Sequence, residues 1–108
     1  MARYLFQASY TNEAWAAQVS HPQNRMDVIR PVIERLGGRL ESAYLSFGDY
    51  DVVVIAEMPD QVSAAAFSLA ASAGGGVKAV KTTPLMTVEE GIEAMKKAAG
   101  AGYRPPGR

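Results

Sequence analysis

Cysteine is absent from the 108 residues, and histidine occurs only once. The lack of cysteine excludes disulfide bridges, zinc–thiolate centres and thiol catalysis. An excess of charge of either sign is also lacking, because 11 basic side chains balance 11 acidic ones. A chain without net charge has no field that would attract nucleic acid or an anionic membrane, so we expect neither as a partner.

Long apolar runs are missing as well. No segment approaches the roughly 20 apolar residues of a membrane-spanning helix, and the first residues lack the apolar stretch of a secretion signal. We therefore expect a cytoplasmic protein. Hydrophobic residues nevertheless make up 48% of the chain, a share typical of globular proteins. We expect one domain over residues 1–100 and an extended tail over 101–108.

Period-two alternation or continuous apolar content predicts four strands, at residues 3–10, 40–47, 50–58 and 77–86. In the first strand, Tyr4, Phe6, Ala8 and Tyr10 share one side. Gly48 and Asp49 predict a tight hairpin between the second and third strands. Pro84, near the end of the fourth strand, suits an edge position.

Helical stripes lie between and after these strands, at residues 13–19, 22–36, 60–73 and 88–99. Ser20 and Gln23 fit a capping box for the second helix, and Pro31 should kink that helix or shift its start. Its apolar stripe is Met26, Ile29, Val32, Ile33 and Leu36. In the third helix we expect Val62, Ala66 and Leu69 on the inner side. Thr87 and Glu90 fit a second capping box.

The order β-α-β-β-α-β-α predicts an α+β, ferredoxin-like fold, with a four-stranded antiparallel sheet and helices on one face. The strand segment 52–56 is apolar at every position, so both of its faces need cover. Helices can cover only one face in so small a domain. We therefore expect a homo-oligomer, a dimer or larger, in which a second copy covers the other face.

Two stretches resemble the signature of the GYD domain family: residues 36–40, Leu-Gly-Gly-Arg-Leu, and residues 44–53, Tyr-Leu-Ser-Phe-Gly-Asp-Tyr-Asp-Val-Val. The family is named for a Gly-x-Tyr-Asp hairpin, here Gly48, Tyr50 and Asp51. The similarity extends from about Tyr4 to Met95, and His21 interrupts a serine–proline pair that is more often contiguous. The resemblance implies a ferredoxin-like domain related in shape to dimeric α/β-barrel proteins, and it supplies no catalytic residue.

Three side chains could serve acid–base chemistry. His21 is the single group whose unperturbed pKa lies near neutrality, and Tyr50 and Lys81 could assist it. A solvated histidine at a helix start is the simpler interpretation of His21, since no nucleophile, base and orienting group come together in the sequence.

A second set of residues could bind a ligand. These are the polar residues expected on the less apolar face of the sheet: Gln7, Ser9, Ser42, Ser46 and Thr83, with Lys81 beside them. They could orient a small acid in a cleft or form water-filled contacts with a partner.

Aromatic and acidic residues offer two further possibilities. Asp49 and Asp51 flank Tyr50 and could hold a ligand, although turn formation is the preferred explanation of these residues. They are too few oxygens for calcium. Tyr4, Tyr10 and Trp15 could stack on an aromatic ligand or belong to the core.

These patterns support two functions. The first is a non-catalytic oligomeric binding or assembly module that holds a small molecule in a cleft at the sheet face. The alternative is a cofactor-independent enzyme, of the isomerase or decarboxylase type, acting on a small acidic or aromatic metabolite. We expect no cofactor and no metal in either case.

Overall fold

A computed structural model describes residues 1–107 of the chain. Its eight elements follow one another as β1 (Ala2–Tyr10), α1 (Asn12–Ser20), α2 (Met26–Arg35), β2 (Arg39–Leu45), β3 (Val52–Met58), α3 (Gln61–Ala73), β4 (Val77–Leu85) and α4 (Val88–Ala99). This α+β order confirms the ferredoxin-like arrangement that the sequence predicts. It differs from the prediction mainly at the junctions between elements.

The four strands form one antiparallel sheet in the order β2-β3-β1-β4. The central pair, β1 and β3, places Phe6 opposite Val54 and Gln7 opposite Val53. Because directly opposite residues project to the same side of a sheet, Phe6 and Val54 share one face and Gln7 and Val53 the other. Strand β4 lies at an edge, as Pro84 predicts.

Three helices, α1, α2 and α3, cover the face that carries Phe6 and Val54. Phe67 of α3 meets Phe6 edge-to-face with ring centroids 4.9 Å apart, and Ile33 of α2 is fully buried together with Met58. The predicted inner stripe of α2 is confirmed, because all its members belong to or pack against the core. We call this the helix-covered face, and the opposite side of the sheet the open face.

The link between α1 and α2 corrects the predicted capping box. Ser20 is the last residue of α1 instead of a cap for α2, and Pro22, Gln23 and Asn24 are not helical. The Asn24 side-chain oxygen accepts a hydrogen bond from the backbone N–H of Met26, at 3.0 Å. Helix α2 therefore starts later than the capping pattern indicates, and Pro31 lies within it.

Helix α3 presents a different side to the core from the one expected. Val62 and Leu69 are exposed, whereas Ala64 and Phe67 are buried. The helix is rich in alanine, so its apolar stripe is poorly defined by pattern alone. The large ring of Phe67 decides the orientation, because burying it removes more apolar surface from water than burying any alanine does.

The connection between β2 and β3 is a six-residue loop, residues 46–51, and the predicted two-residue hairpin is wrong. Gly48 has no positive φ, which a tight hairpin turn of the primed types would require. The loop is fixed instead by bonds to β1 and α1, described below. By contrast, Gly37 does have a positive φ of 85°, and it ends α2 where the sequence predicts the end.

Helix α4 stands apart from the sheet. All its residues are exposed except Gly91, which is half-buried. Its start is the capping box predicted at Thr87 and Glu90. The chain has a radius of gyration of 17.4 Å, against about 13 Å for a compact domain of this length. Residues 101–107 of the predicted tail are also exposed and contain no helix or strand, and Arg108 lies outside the described residues.

Candidate functional site

A cleft lies between the helices and the helix-covered face of the sheet, with a volume of about 660 Å³. Its floor is formed by four apolar side chains of the central strands: Phe6, Ala8, Val52 and Val54. Its walls come from α1, α2 and α3. Five of the eleven buried core residues therefore border on a space that the side chains of the domain do not fill.

Small residues explain why the space is empty. The two helices on opposite sides of the cleft, α1 and α3, present alanines to it, and glycines follow α3: the small lining residues are Ala14, Ala17, Ala70, Ala71, Gly74 and Gly76. Close packing of a core requires that side chains fill the distance between helix and sheet. Methyl groups and hydrogens cannot do so, and a recess of ligand size remains.

The mouth of the cleft is polar. The segment that links α1 to α2 contributes His21, Gln23 and Arg25, and Gln18 of α1 lies beside them. Arg25 is half-buried, whereas His21 is exposed, which agrees with the expected accessibility of that histidine. Among residues 1–107, no aspartate or glutamate lines the cleft.

Tyr10 lies where the apolar floor meets this polar mouth. Burial raises the pKa of its phenol above the ordinary value of 10.0. The Arg25 guanidinium beside it lowers that pKa in part, and the Asp51 carboxylate raises it again. The phenol is therefore a neutral hydroxyl near pH 7, able to donate a hydrogen bond to a group in the cleft.

Asp51 of the Gly-x-Tyr-Asp motif positions the wall of the cleft. Its carboxylate accepts hydrogen bonds from the backbone N–H of Tyr10, at 2.9 Å, and from the indole N–H of Trp15, at 3.2 Å. Trp15 in turn packs edge-to-face on Tyr10, with ring centroids 5.2 Å apart. One carboxylate thus ties α1 to β1, and with them the side of the cleft that α1 forms.

Two of the predicted ligand-binding hydroxyls bond to the 46–51 loop. Ser9 is buried and donates to the backbone carbonyl of Asp49, at 2.8 Å. Ser46 donates to the backbone carbonyl of Tyr50, at 2.6 Å. These bonds, together with that from the backbone N–H of Asp51 to the carbonyl of Ala8, hold the loop against β1. Both hydroxyls therefore have a structural role in this arrangement.

The remaining predicted polar residues lie on the open face, away from the cleft. Gln7 lies opposite Lys81 on the neighbouring strand, and Thr83 and Ser42 flank the central strands one row further along. A cluster of exposed ion pairs marks one end of this face, with Arg3 bonded to Glu41 at 2.7 Å.

The three predicted acid–base groups do not come together. His21 is at the mouth of the cleft, Tyr50 is in the 46–51 loop, and Lys81 is exposed on the open face. Tyr10, which the sequence suggested as a stacking or core residue, is the phenol that lines the cleft. Sequence reasoning missed Arg25, whose only signal was its place next to the break between two helices.

Neither a cluster of metal ligands nor a membrane-spanning helix is found in the described residues. Within residues 1–107, no three histidine, aspartate or glutamate side chains converge as metal ligands would. None of the helices in this part of the chain is both long and apolar enough to cross a bilayer.

Comparison with known families identifies the domain. A sequence model of the GYD domain matches residues 4–95, which is most of the chain. The protein belongs to the GYD domain family. The match spans the seven elements that build the sheet and the cleft, β1 to β4 with α1 to α3 between them, and most of α4. A comparison with curated proteins finds no recognisable relative.

Proposed function

We propose that this GYD domain is a non-catalytic binding module that takes up a small, mainly apolar molecule in the cleft between its helices and its sheet. The observation that carries the proposal is the alanine-lined recess of about 660 Å³ above Phe6 and Val54. This location replaces the cleft that the sequence suggested at the other face of the sheet.

The size and lining of the cleft fit this role. Small-molecule sites commonly measure about 300–1,000 Å³ and combine apolar walls with a few polar groups. Here Val52, Val54 and Phe67 supply apolar surface, and Tyr10 and Arg25 supply polar groups at the mouth. Each methylene group that a ligand buries against such a surface contributes about 0.8 kcal/mol, so a bicyclic hydrocarbon skeleton has enough apolar surface for measurable binding.

We rank catalysis below binding. An acid–base enzyme needs its proton-transferring groups within hydrogen-bond reach of one substrate position. His21 is the one member of the predicted acid–base set that borders the cleft. Lys81 projects from the opposite face of the sheet, since it pairs with Gln7 and not with a floor residue.

Titration calorimetry with 1-naphthaleneacetamide, a neutral bicyclic amide, tests the binding role. We expect saturable binding to the wild-type protein and loss of at least about ten-fold in affinity in Ala71→Phe, because the new ring occupies the cleft. Ala65→Phe is the matched control, since Ala65 is exposed on the same helix and does not line the cleft. Thermal melts show that both variants are folded.

Equal binding by both variants would place the ligand elsewhere and contradict the proposal. An absence of binding to the wild-type protein would contradict it as well. Turnover of a metabolite that is lost in His21→Ala would instead favour the enzyme.

We also propose that the module self-associates through the open face, in the manner of dimeric α/β barrels. Leu5, Val53 and Ile55 are only half-buried there, and none of the three is among the residues that form or pack against the core under the helices. A second copy placed face to face would remove these side chains from water, with a stabilisation of roughly 1.5–3 kcal/mol for each one fully buried. Light scattering at micromolar concentration should give twice the mass of one chain, and a monomer would contradict this part of the proposal.

A further inference from the structure

Arg25 differs from the other basic residues of the described chain in its surroundings. It is the one lysine or arginine among residues 1–107 that is not exposed, and it lies at the mouth of the cleft. Arg3 and Arg39, in contrast, form ion pairs with glutamates on the surface. Within residues 1–107, no carboxylate lies within ion-pair distance of Arg25.

A half-buried guanidinium without a carboxylate partner has lost part of its hydration and has not replaced it by an opposite charge. Planar carboxylates are the groups that match the fork of guanidinium N–H donors, with two parallel hydrogen bonds. The neutral phenol of Tyr10 and the amides of Gln18 and Gln23 border the same mouth and offer further donors. The mouth therefore favours an anion.

The rest of the cleft excludes a second charge. Beyond Tyr10 the lining is made of the apolar floor, apolar side chains of the three helices and a single hydroxyl, that of Ser68, so an ionic group there would be desolvated without a charged partner. We propose that the ligand is a monocarboxylate with an apolar body, whose carboxylate binds Arg25 at the mouth and whose body lies on Val54 and Phe67. This inference rests on the proposed binding function and gives it a ligand class.

The test compares two probes of equal shape, 1-naphthaleneacetate and 1-naphthaleneacetamide, by titration calorimetry at pH 7. The wild-type protein should bind the acid about ten-fold more tightly than the amide, because only the acid forms charged hydrogen bonds with Arg25. In Arg25→Gln, the affinity for the acid should fall to that for the amide. The affinity for the amide should stay within about two-fold of its wild-type value. Salt should weaken binding of the acid alone.

The matched control is Arg30→Gln, because Arg30 is exposed on α2 and does not line the cleft. It should keep the full preference for the acid. Equal affinities of the wild-type protein for the two probes, or a preference that survives in Arg25→Gln, would overturn the ligand class while leaving the binding function intact. If neither probe binds, the ligand class and the binding function both fail. Circular dichroism spectra establish that both variants are folded.

Discussion

The two faces of the sheet are built from the same strands but differ in how their side chains are packed. Strand β3 contributes Val52 and Val54 to the helix-covered face and Val53 and Ile55 to the open face. The first face is covered but incompletely filled, because the helices present alanine to it. The apolar side chains of the open face, in contrast, are half-buried and do not pack against the core under the helices. Strand alternation thus gives one face a recess lined by small residues and leaves partly exposed apolar side chains on the other.

The largest effect on stability is expected when a lysine replaces Val54 of β3, and a much smaller one when it replaces the adjacent Val53. Val54→Lys should destabilise the fold by more than about 4 kcal/mol, because an ammonium replaces a side chain that is 3% exposed between Phe6 and Phe67. In the monomer, at protein concentrations too low for self-association, Val53→Lys should change the free energy of unfolding by less than about 1 kcal/mol, since its side chain reaches solvent on the open face. Urea denaturation measures both. Similar losses in the two variants would contradict the assignment of the faces.

Removing the motif carboxylate should have the next largest effect. Asp51→Ala leaves the backbone N–H of Tyr10 and the indole N–H of Trp15 without their acceptor, a loss of about 2–3 kcal/mol in unfolding free energy. The matched control is Asp49→Ala, which should change stability by less than about 0.5 kcal/mol, because only the backbone carbonyl of Asp49 accepts a bond. Equal effects would show that Asp51 does not anchor α1.

The open face can then be tested separately from the fold. Val53→Lys should reduce the mass found by light scattering from that of a dimer to that of one chain, because two charged side chains cannot be buried face to face. Val62→Lys is the control, as Val62 is exposed on α3 on the other side of the molecule. A dimer that survives Val53→Lys would show that the copies meet through another surface.

The smallest effect concerns the cap of α3 on the helix-covered side. The backbone N–H of Ser63 donates to the Asp60 carboxylate and lowers the pKa of that carboxyl below its ordinary 3.8. A group whose pKa is lower in the folded state stabilises the fold above the unfolded pKa and loses this contribution as pH falls through the folded pKa. The difference in melting temperature between wild type and Asp60→Ala should therefore narrow as pH falls below about 4.

Asp60→Asn serves as the control for that titration. Asparagine keeps an oxygen that can accept from the Ser63 N–H but carries no titrating charge. The difference in melting temperature between Asp60→Asn and Asp60→Ala should stay constant over the same pH range. If the difference in melting temperature between wild type and Asp60→Ala also stays constant over this range, the lowered pKa of Asp60 is contradicted.

Most of the architecture follows from local patterns in the sequence. Alternation in β1, the stripe of α2, the Thr87 capping box and the proline of β4 each depend on residues close in the chain, and all four are confirmed. The orientation of α3 could not be predicted in the same way. Its alanines differ little in burial energy from one side to the other, so contact with Phe6, distant in sequence, decides it.

The bonds that hold the 46–51 loop and the position of the cleft could not be predicted from the sequence, for a related reason. Asp51 interacts with Tyr10 and Trp15 across about 40 residues of sequence, and no periodicity reports such a bond. The cleft is a volume that side chains leave unfilled, which appears only when the helices are placed on the sheet. Sequence analysis predicted apolar side chains on both faces of β3, and it placed its candidate ligand-binding residues on the polar face because hydroxyls are visible in a sequence and empty space is not.

Methyl-resolved NMR tests most directly whether the helix-covered face, and not the open face, holds the ligand. The protein would be labelled at isoleucine, leucine and valine methyl groups and titrated with 1-naphthaleneacetamide. Ring currents of the probe should shift the methyl signals of Ile29, Val52, Val54 and Val80, which line the cleft, and leave those of Leu5, Val53 and Ile55 unchanged. Shifts confined to Leu5, Val53 and Ile55, or no shifts in either group, would contradict the account.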